Sequence, residues 1–366
     1  TKVPEKPNLH QETGITSLHD VDGNPWRTPE TAARLLERKF AYAFAARGAG
    51  AVEWAWNINP FMPVENEATI GFFRPDGTAK PEVRVLPAFA AFLKEAGPYL
   101  DDFAPDPVAL VIPHSRLFAG RPRGVDATKR VVRVLAERFG VVPSALSELR
   151  LTPARLRGAK LVLVPVPEML TGESAQALLE ASRAGTRVLV TGAVEGDPYG
   201  RVTDSLRALG VVDAGRPVAL REATRWGAAT GEHWVAFEGL AQEWLRRSEK
   251  AEPARLSGAI WHEPLPLELA QETAPLEALL EAALEAAGVA TSPSATRVAA
   301  RVLEAPRAFL VVCVNETPAP ARRRVRVEGR GHDVPVAALR ARLVLLERGT
   351  GKVLAATPGE RVLPAP

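Results

Sequence analysis

The first hundred residues contain two successive strand–loop–helix units, and this order constrains the fold more than any other feature. Residues 4–11 (PEKPNLHQ) read as a short strand ending abruptly at Glu12-Thr13-Gly14. A long loop with the turn formers Asp22-Gly23-Asn24-Pro25 follows, and Thr28-Pro29-Glu30 then opens a helix. Threonine caps, proline suits the first turn, and glutamate favours the positive helix end. That helix is expected to reach about Arg47, with Gly48 and Gly50 stopping it. Residues 51–57 (AVEWAWN) read as a strand with Val52, Trp54 and Trp56 on one parity. After a second long loop, Pro75-Asp76-Gly77 makes a turn, and a helix runs from near Pro81 to Ala96. Strands joined by helical crossovers pair in parallel.

A proline-rich hinge, residues 98–107, precedes a different pattern. Residues 108–112 (VALVI), 160–165 (KLVLVP) and 186–191 (TRVLVT) are short apolar runs. Helical segments at 126–139, 174–184 and 202–209 alternate with them, and an alanine-, leucine- and glutamate-rich helix is expected over 265–288. Runs apolar on both faces, alternating with helices, indicate a doubly wound α/β sheet. Residues 216–261 are irregular and yield no assignment. From about Ala295, β character at 296–303, 308–315, 322–328 and 341–346 without helical signals predicts a small antiparallel β-sandwich. The expected domains are therefore 1–98, 107–292 and 295–366.

Composition excludes several classes. The chain has 366 residues, with 46 basic and 43 acidic side chains interspersed, so there is no electrostatic case for nucleic acid. No apolar run reaches the roughly 18 residues of a membrane span. The single cysteine, Cys313, can form neither an internal disulfide nor a zinc site, and its apolar run (AFLVVCV) marks it as buried packing. Residues 1–7 lack the apolar core of a signal peptide, so a cytoplasmic location is expected. The first residue is Thr1, which leaves a processed chain or a piece of a longer one; the motifs favour the second.

The sharpest chemical signal is a strand ending in Glu12, followed one strand later by Trp54 and Trp56. In a parallel barrel, the carboxyl ends of the strands converge on one catalytic face. A carboxylate beside aromatic rings suits carbohydrate chemistry: the sugar lays a C–H face on tryptophan while the carboxylate reaches the anomeric carbon. The stretches KPNLHQETG (6–14), GAVEWAWNIN (50–59) and GFFRPDGTAKP (71–81) resemble the last two strand–helix units of a clan A glycoside hydrolase barrel. The domain order along the rest of the chain resembles the family-42 β-galactosidases, with a glutamine-amidotransferase-like α/β domain and then a small β domain. The likeness extends equally to a cellulase- or mannosidase-like branch.

That resemblance implies Glu12 as the nucleophile and Trp56 or Trp54 as the sugar platform. His10 and Gln11 would line the rim, while Glu65, Asn66 and Glu67 would contact hydroxyls. No cofactor is implied. Glu53, on the opposite parity, faces either the helices or the site edge. Trp226, Trp234, Trp244 and Trp261 are read as core or interface. The α/β domain has no cysteine to serve as an amidotransferase nucleophile and is read as catalytically inactive. Neither a GxGxxG nor a P-loop motif is present.

A retaining glycosidase needs two carboxylates roughly 5–5.5 Å apart. The acid/base that the resemblance implies lies on the fourth strand, and two strands cannot close an eight-stranded barrel. The expectation is a C-terminal fragment or subunit, completed by an N-terminal chain and acting on a β-linked saccharide. The complete enzyme is expected to be a homo-oligomer, first guess a trimer. The competing expectation is a non-catalytic carbohydrate-binding or assembly subunit.

Overall fold

A computed structural model describes residues 9–48, 50–62, 68–114, 123–211, 221–225, 232–237, 254–358 and 363–364. Contacts gather the chain into two compact units. One is Pro105–Thr291; the other joins Lys2–Ala104 to Ser292–Pro366.

Strand β1 (Leu9–Thr13) pairs in parallel with β2 (Gly50–Glu53), as expected from the crossover between them. Helix α1 (Pro29–Ala45) makes that crossover, and Thr28 caps it by accepting from the Thr31 N–H. The helix stops two residues earlier than expected, because Arg47, not a glycine, takes the left-handed conformation (φ 55°). The Gly48 N–H then closes the end on the Ala43 carbonyl at 2.8 Å. The second helical segment begins as a 3-10 turn, Pro81–Arg84, and continues as α2 (Val85–Ala96).

The Pro105–Thr291 unit is the doubly wound α/β domain. Its strands are β3 (Val108–Ile112), β4 (Ser144–Ser147), β5 (Leu161–Val164), β6 (Arg187–Thr191) and β7 (Ile260–Glu263). They form one parallel sheet in the order β7-β6-β5-β3-β4. Helices α3 (Arg123–Val134) and α4 (Gly172–Arg183) alternate with them, followed by α5 (Asp204–Leu209) and α6 (Ala274–Ala286). Val108 and Leu110 pack with α3 and α6, while Ala109 and Val111 pack with α4 and α5. Both faces of β3 are therefore buried, which explains its unbroken apolar run. The helix expected over 265–288 begins only at Ala274: Pro264 and Pro266 force an irregular approach.

The remaining strands are β8 (Val298–Glu304), β9 (Ala308–Asn315), β10 (Ala321–Val327), β11 (Arg330–Val336), β12 (Ala341–Glu347) and β13 (Val353–Ala356). β8-β9-β12-β13 form one antiparallel sheet, and β10-β11 with a short closing strand (Leu363–Pro364) form the other. Phe309, Val311, Cys313 and Val344 face Val325, Val327 and Val334 between the sheets. Leu310, Val312, Val314, Leu343 and Leu345 point the other way, into one core with Leu36 and Phe40 of α1 and Phe89 and Phe92 of α2. The layers are thus helices, sheet and sheet, and β9 is buried along its whole length. Arg340 closes the helix–sheet seam with a 2.6 Å ion pair to Glu37. Among the described residues, no helix is long and apolar enough to cross a membrane.

Candidate active site

The carboxyl ends of β1 and β2 hold most of the residues singled out from the sequence. The register runs Leu9↔Gly50, His10↔Ala51 and then Thr13↔Glu53. Gln11 and Glu12 therefore stand against the single residue Val52, a bulge that re-aims the strand at this point. For Gln11 and Glu12 the description extends to the backbone only. His10 is exposed. Glu65, Asn66 and Glu67 lie outside the described residues.

The β2 strand ends at Glu53, shorter than the expected 51–57, so Trp54 and Trp56 stand just beyond its carboxyl end. Val52 (48% exposed), Trp54 (46%) and Trp56 (65%) present large apolar surface. On the opposite side of β2, Ala51 packs against the core of α1 and α2. Trp56 is fixed through its backbone: its carbonyl oxygen accepts from the Phe72 and Phe73 N–H groups at 2.9 and 3.1 Å. Gly71 (φ 128°) makes that return possible, since a Cβ there would lie 2.6 Å from the Asn57 carbonyl carbon. Asp76 holds the following turn, accepting from the Thr78 N–H and hydroxyl, and these bonds lower its pKa.

Glu53 faces the helical side. Burial pushes its pKa up to about 8, against the pull of Lys39 and Lys80 and with a further push from Glu82. One of its carboxylate oxygens is buried without a hydrogen-bond partner among the described residues. Lys39, from α1, donates to the Gly14 carbonyl at 2.8 Å. Lys80 pairs with Glu82 at 3.1 Å and donates to the Thr69 carbonyl at 3.2 Å. This quartet was missed in the sequence, although Lys80 belongs to the GFFRPDGTAKP passage; its four members are brought together only by the fold.

In the α/β unit, β5 leads into an elbow where Val166 (φ 42°) and Glu168 (φ 56°) are left-handed. The Val166 N–H donates to Thr191 Oγ1 at 3.1 Å, and Thr191 donates to Glu268 at 2.6 Å. Glu168 is ion-paired with Arg123 at 2.6 Å. The two left-handed positions of the elbow are thus held by a valine and by an ion-paired glutamate. Trp261 lies in β7 and is core, with the Arg187 guanidinium 4.9 Å from its ring. Trp226 and Trp244 lie outside the described residues, and Trp234 is described only as backbone in the strand Glu232–Ala236. Cys313 is fully buried, as expected, and burial drives its pKa up to about 12.

The chain is similar in fold to GH42 β-galactosidases. A β-galactosidase from Bacillus circulans sp. alkalophilus aligns with a TM-score of 0.64 at 14% identity, covering 94% of this chain and 56% of that one. A catalytic mutant of a GH42 β-galactosidase from G. stearothermophilus aligns at 0.63 and 13% identity, covering 92% and 53%. A β-galactosidase from the haloarchaeon Halorubrum lacusprofundi gives 0.59 and 16%, covering 95% and 54%. The chain therefore spans little more than half the length of these structures, and at such identities the likeness is one of fold. No protein-family model and no curated protein sequence matches the chain.

Proposed function

We propose that this chain is the carboxyl-terminal part of a retaining glycoside hydrolase that cleaves β-glycosidic bonds, with a β-galactoside as the first substrate to try. The observation that carries this reading is the one-sidedness of β2 in the parallel β1–β2 pair. Ala51 packs toward the helices, while Val52, Trp54 and Trp56 stand exposed at the carboxyl end beside the bulge that carries Glu12. In a (β/α)8 barrel that end is where substrate binds and reacts. Two parallel strands do not close a barrel, so a further chain or segment supplies the other strand–helix units and the acid/base carboxyl.

In the completed site the Glu12 carboxylate attacks the anomeric carbon as the partner's carboxylic acid protonates the leaving oxygen. Water, activated by that same partner group, then releases the sugar from the glycosyl ester. Trp56 supplies the platform for the sugar ring, and His10 and Gln11 line the rim. The α/β unit takes no part in chemistry and serves self-association.

The test is turnover of p-nitrophenyl β-D-galactoside by this chain assembled with the missing barrel units. Glu12→Gln is isosteric but cannot form the ester, and a fall of at least about a thousandfold in kcat is expected. Near wild-type turnover would remove Glu12 as nucleophile. An assembly inactive on every aryl β-glycoside tried would favour a carbohydrate-binding subunit.

A further inference from the structure

Behind the exposed tryptophans, the ends of β1 and β2 meet without space between them. A Cβ on Gly14 would lie 2.7 Å from the Trp54 carbonyl oxygen and 3.4 Å from a Glu53 carboxylate oxygen. Gly14 is two residues beyond Glu12, and its carbonyl is held by Lys39 at 2.8 Å. Gly14 thus borders the Trp54 backbone and lies next in the chain to the bulge segment that carries Glu12.

The charges that face Glu53 come from three places. Lys39 projects from α1, Lys80 and Glu82 come from the segment that opens the second helix, and Arg27, before α1, acts on Lys39. Lys80 is engaged by Glu82 and the Thr69 carbonyl. Among the described residues Lys39 bonds a neutral carbonyl, burial lowers its pKa, and it is the cation that acts most strongly on Glu53, so it is the one placed to answer a new charge there.

We propose that Lys39 and Glu53 are positioning residues for Glu12, forming a latch on Gly14 that is closed while Glu53 carries its proton and opens when that proton passes to solvent. This rests on the reading of Glu12 as the nucleophile. Protonated Glu53 leaves the Gly14 carbonyl as the better acceptor for Lys39. Ionised Glu53 offers the ammonium a full opposite charge, which the dipole of the Gly14 carbonyl does not match, and draws it away from Gly14. The proton-bearing form belongs to neutral pH, since burial raises this carboxyl to about 8.

The experiment measures kcat and KM of the assembled enzyme on p-nitrophenyl β-D-galactoside between about pH 6 and about pH 9, for the wild type, Glu53→Gln, Lys39→Met and Lys39→Arg. Glu53→Gln mimics the protonated state, so its kcat ratio between the two pH extremes is expected to be about fivefold flatter than that of the wild type. Lys39→Met should lower kcat about tenfold with KM within about twofold, and Lys39→Arg should restore most of it. A Glu53→Gln enzyme with the wild-type alkaline limb, or a Lys39→Met enzyme with wild-type kcat, overturns the latch. Should Lys39→Met fail to fold, the alkaline limb of the isosteric Glu53→Gln variant decides alone. Glu12→Gln, assayed in parallel, separates the two readings. If it is inactive while the Glu53→Gln limb is unchanged, only the latch fails; if it turns over normally, the nucleophile reading fails first.

Discussion

The ring of Trp56 lies tilted at 41° against that of Phe73, with centroids 4.9 Å apart, and stands edge-on to Phe72 at 6.3 Å. These contacts hold an indole that is otherwise mostly exposed. A rigid, exposed aromatic face is what a sugar platform requires, because little rotamer freedom is lost on binding. Trp56→Ala is therefore expected to weaken sugar binding by about 1–3 kcal/mol, read as a rise in KM or in the inhibition constant of galactose. Phe73→Ala should produce a smaller rise by loosening the same ring. Unchanged binding in Trp56→Ala, with a loss in Trp54→Ala, would exchange the roles of the two tryptophans.

Leu310 is fully buried between the sandwich and helices α1 and α2. Leu310→Ala is expected to cost about 2–5 kcal/mol. Because the two sequence segments share this core, the loss should appear in a single urea transition reported by probes in both. Separate transitions for the helices and the sandwich would contradict a shared core.

Much of this architecture was legible in the chain. The runs at β3 and β5 are apolar throughout, and those at β6 and β9 are apolar but for their ends, because each is covered on both faces, and such runs need no tertiary knowledge to recognise. Ser144–Ser147 escaped notice because an edge strand of four residues, paired only to β3, needs no such run. Ile260–Glu263 was hidden because two of its four residues, His262 and Glu263, are polar yet buried. β11, with Gly331 and Pro335, reads locally as loop and becomes a strand only opposite β10. At the candidate site, Glu12 and the tryptophans were legible as a strand-end pattern. The Lys39–Glu53–Lys80–Glu82 quartet was not: Glu53 stood out only by its parity and Lys80 only within its passage, and the three segments that carry the four residues meet only in the fold.

Glu268 is fully buried, bonded to Thr191, and burial raises its pKa to about 7. A carboxyl raised above its unfolded value stabilises the fold fully at about pH 4.5 and below, and that contribution is lost as pH rises through about 7. The α/β unit should thus lose roughly 1–3 kcal/mol between pH 5 and pH 9, and Glu268→Gln should flatten the dependence. Thermal melts across that range check this, and a wild-type profile that rises towards pH 9 would show that Glu268 is ionised in the folded state.

Cys313, with its thiol driven up to about 12 by burial between the two sheets, should not react with a disulfide reagent at pH 8 in the native protein. One equivalent should react upon unfolding in denaturant. Rapid labelling of the native chain would mean that the sandwich opens readily.

The most direct test of the central claim is to trap the covalent intermediate. The chain, assembled with the barrel units that the proposal requires, is incubated with a 2-deoxy-2-fluoro-galactosyl fluoride, which forms the glycosyl ester but hydrolyses slowly. Peptide mass spectrometry then locates the label. The account predicts one fluorosugar per copy of this chain, on the peptide containing Glu12 and absent from Glu12→Gln. A label on any other carboxylate, in this chain or its partner, would contradict it.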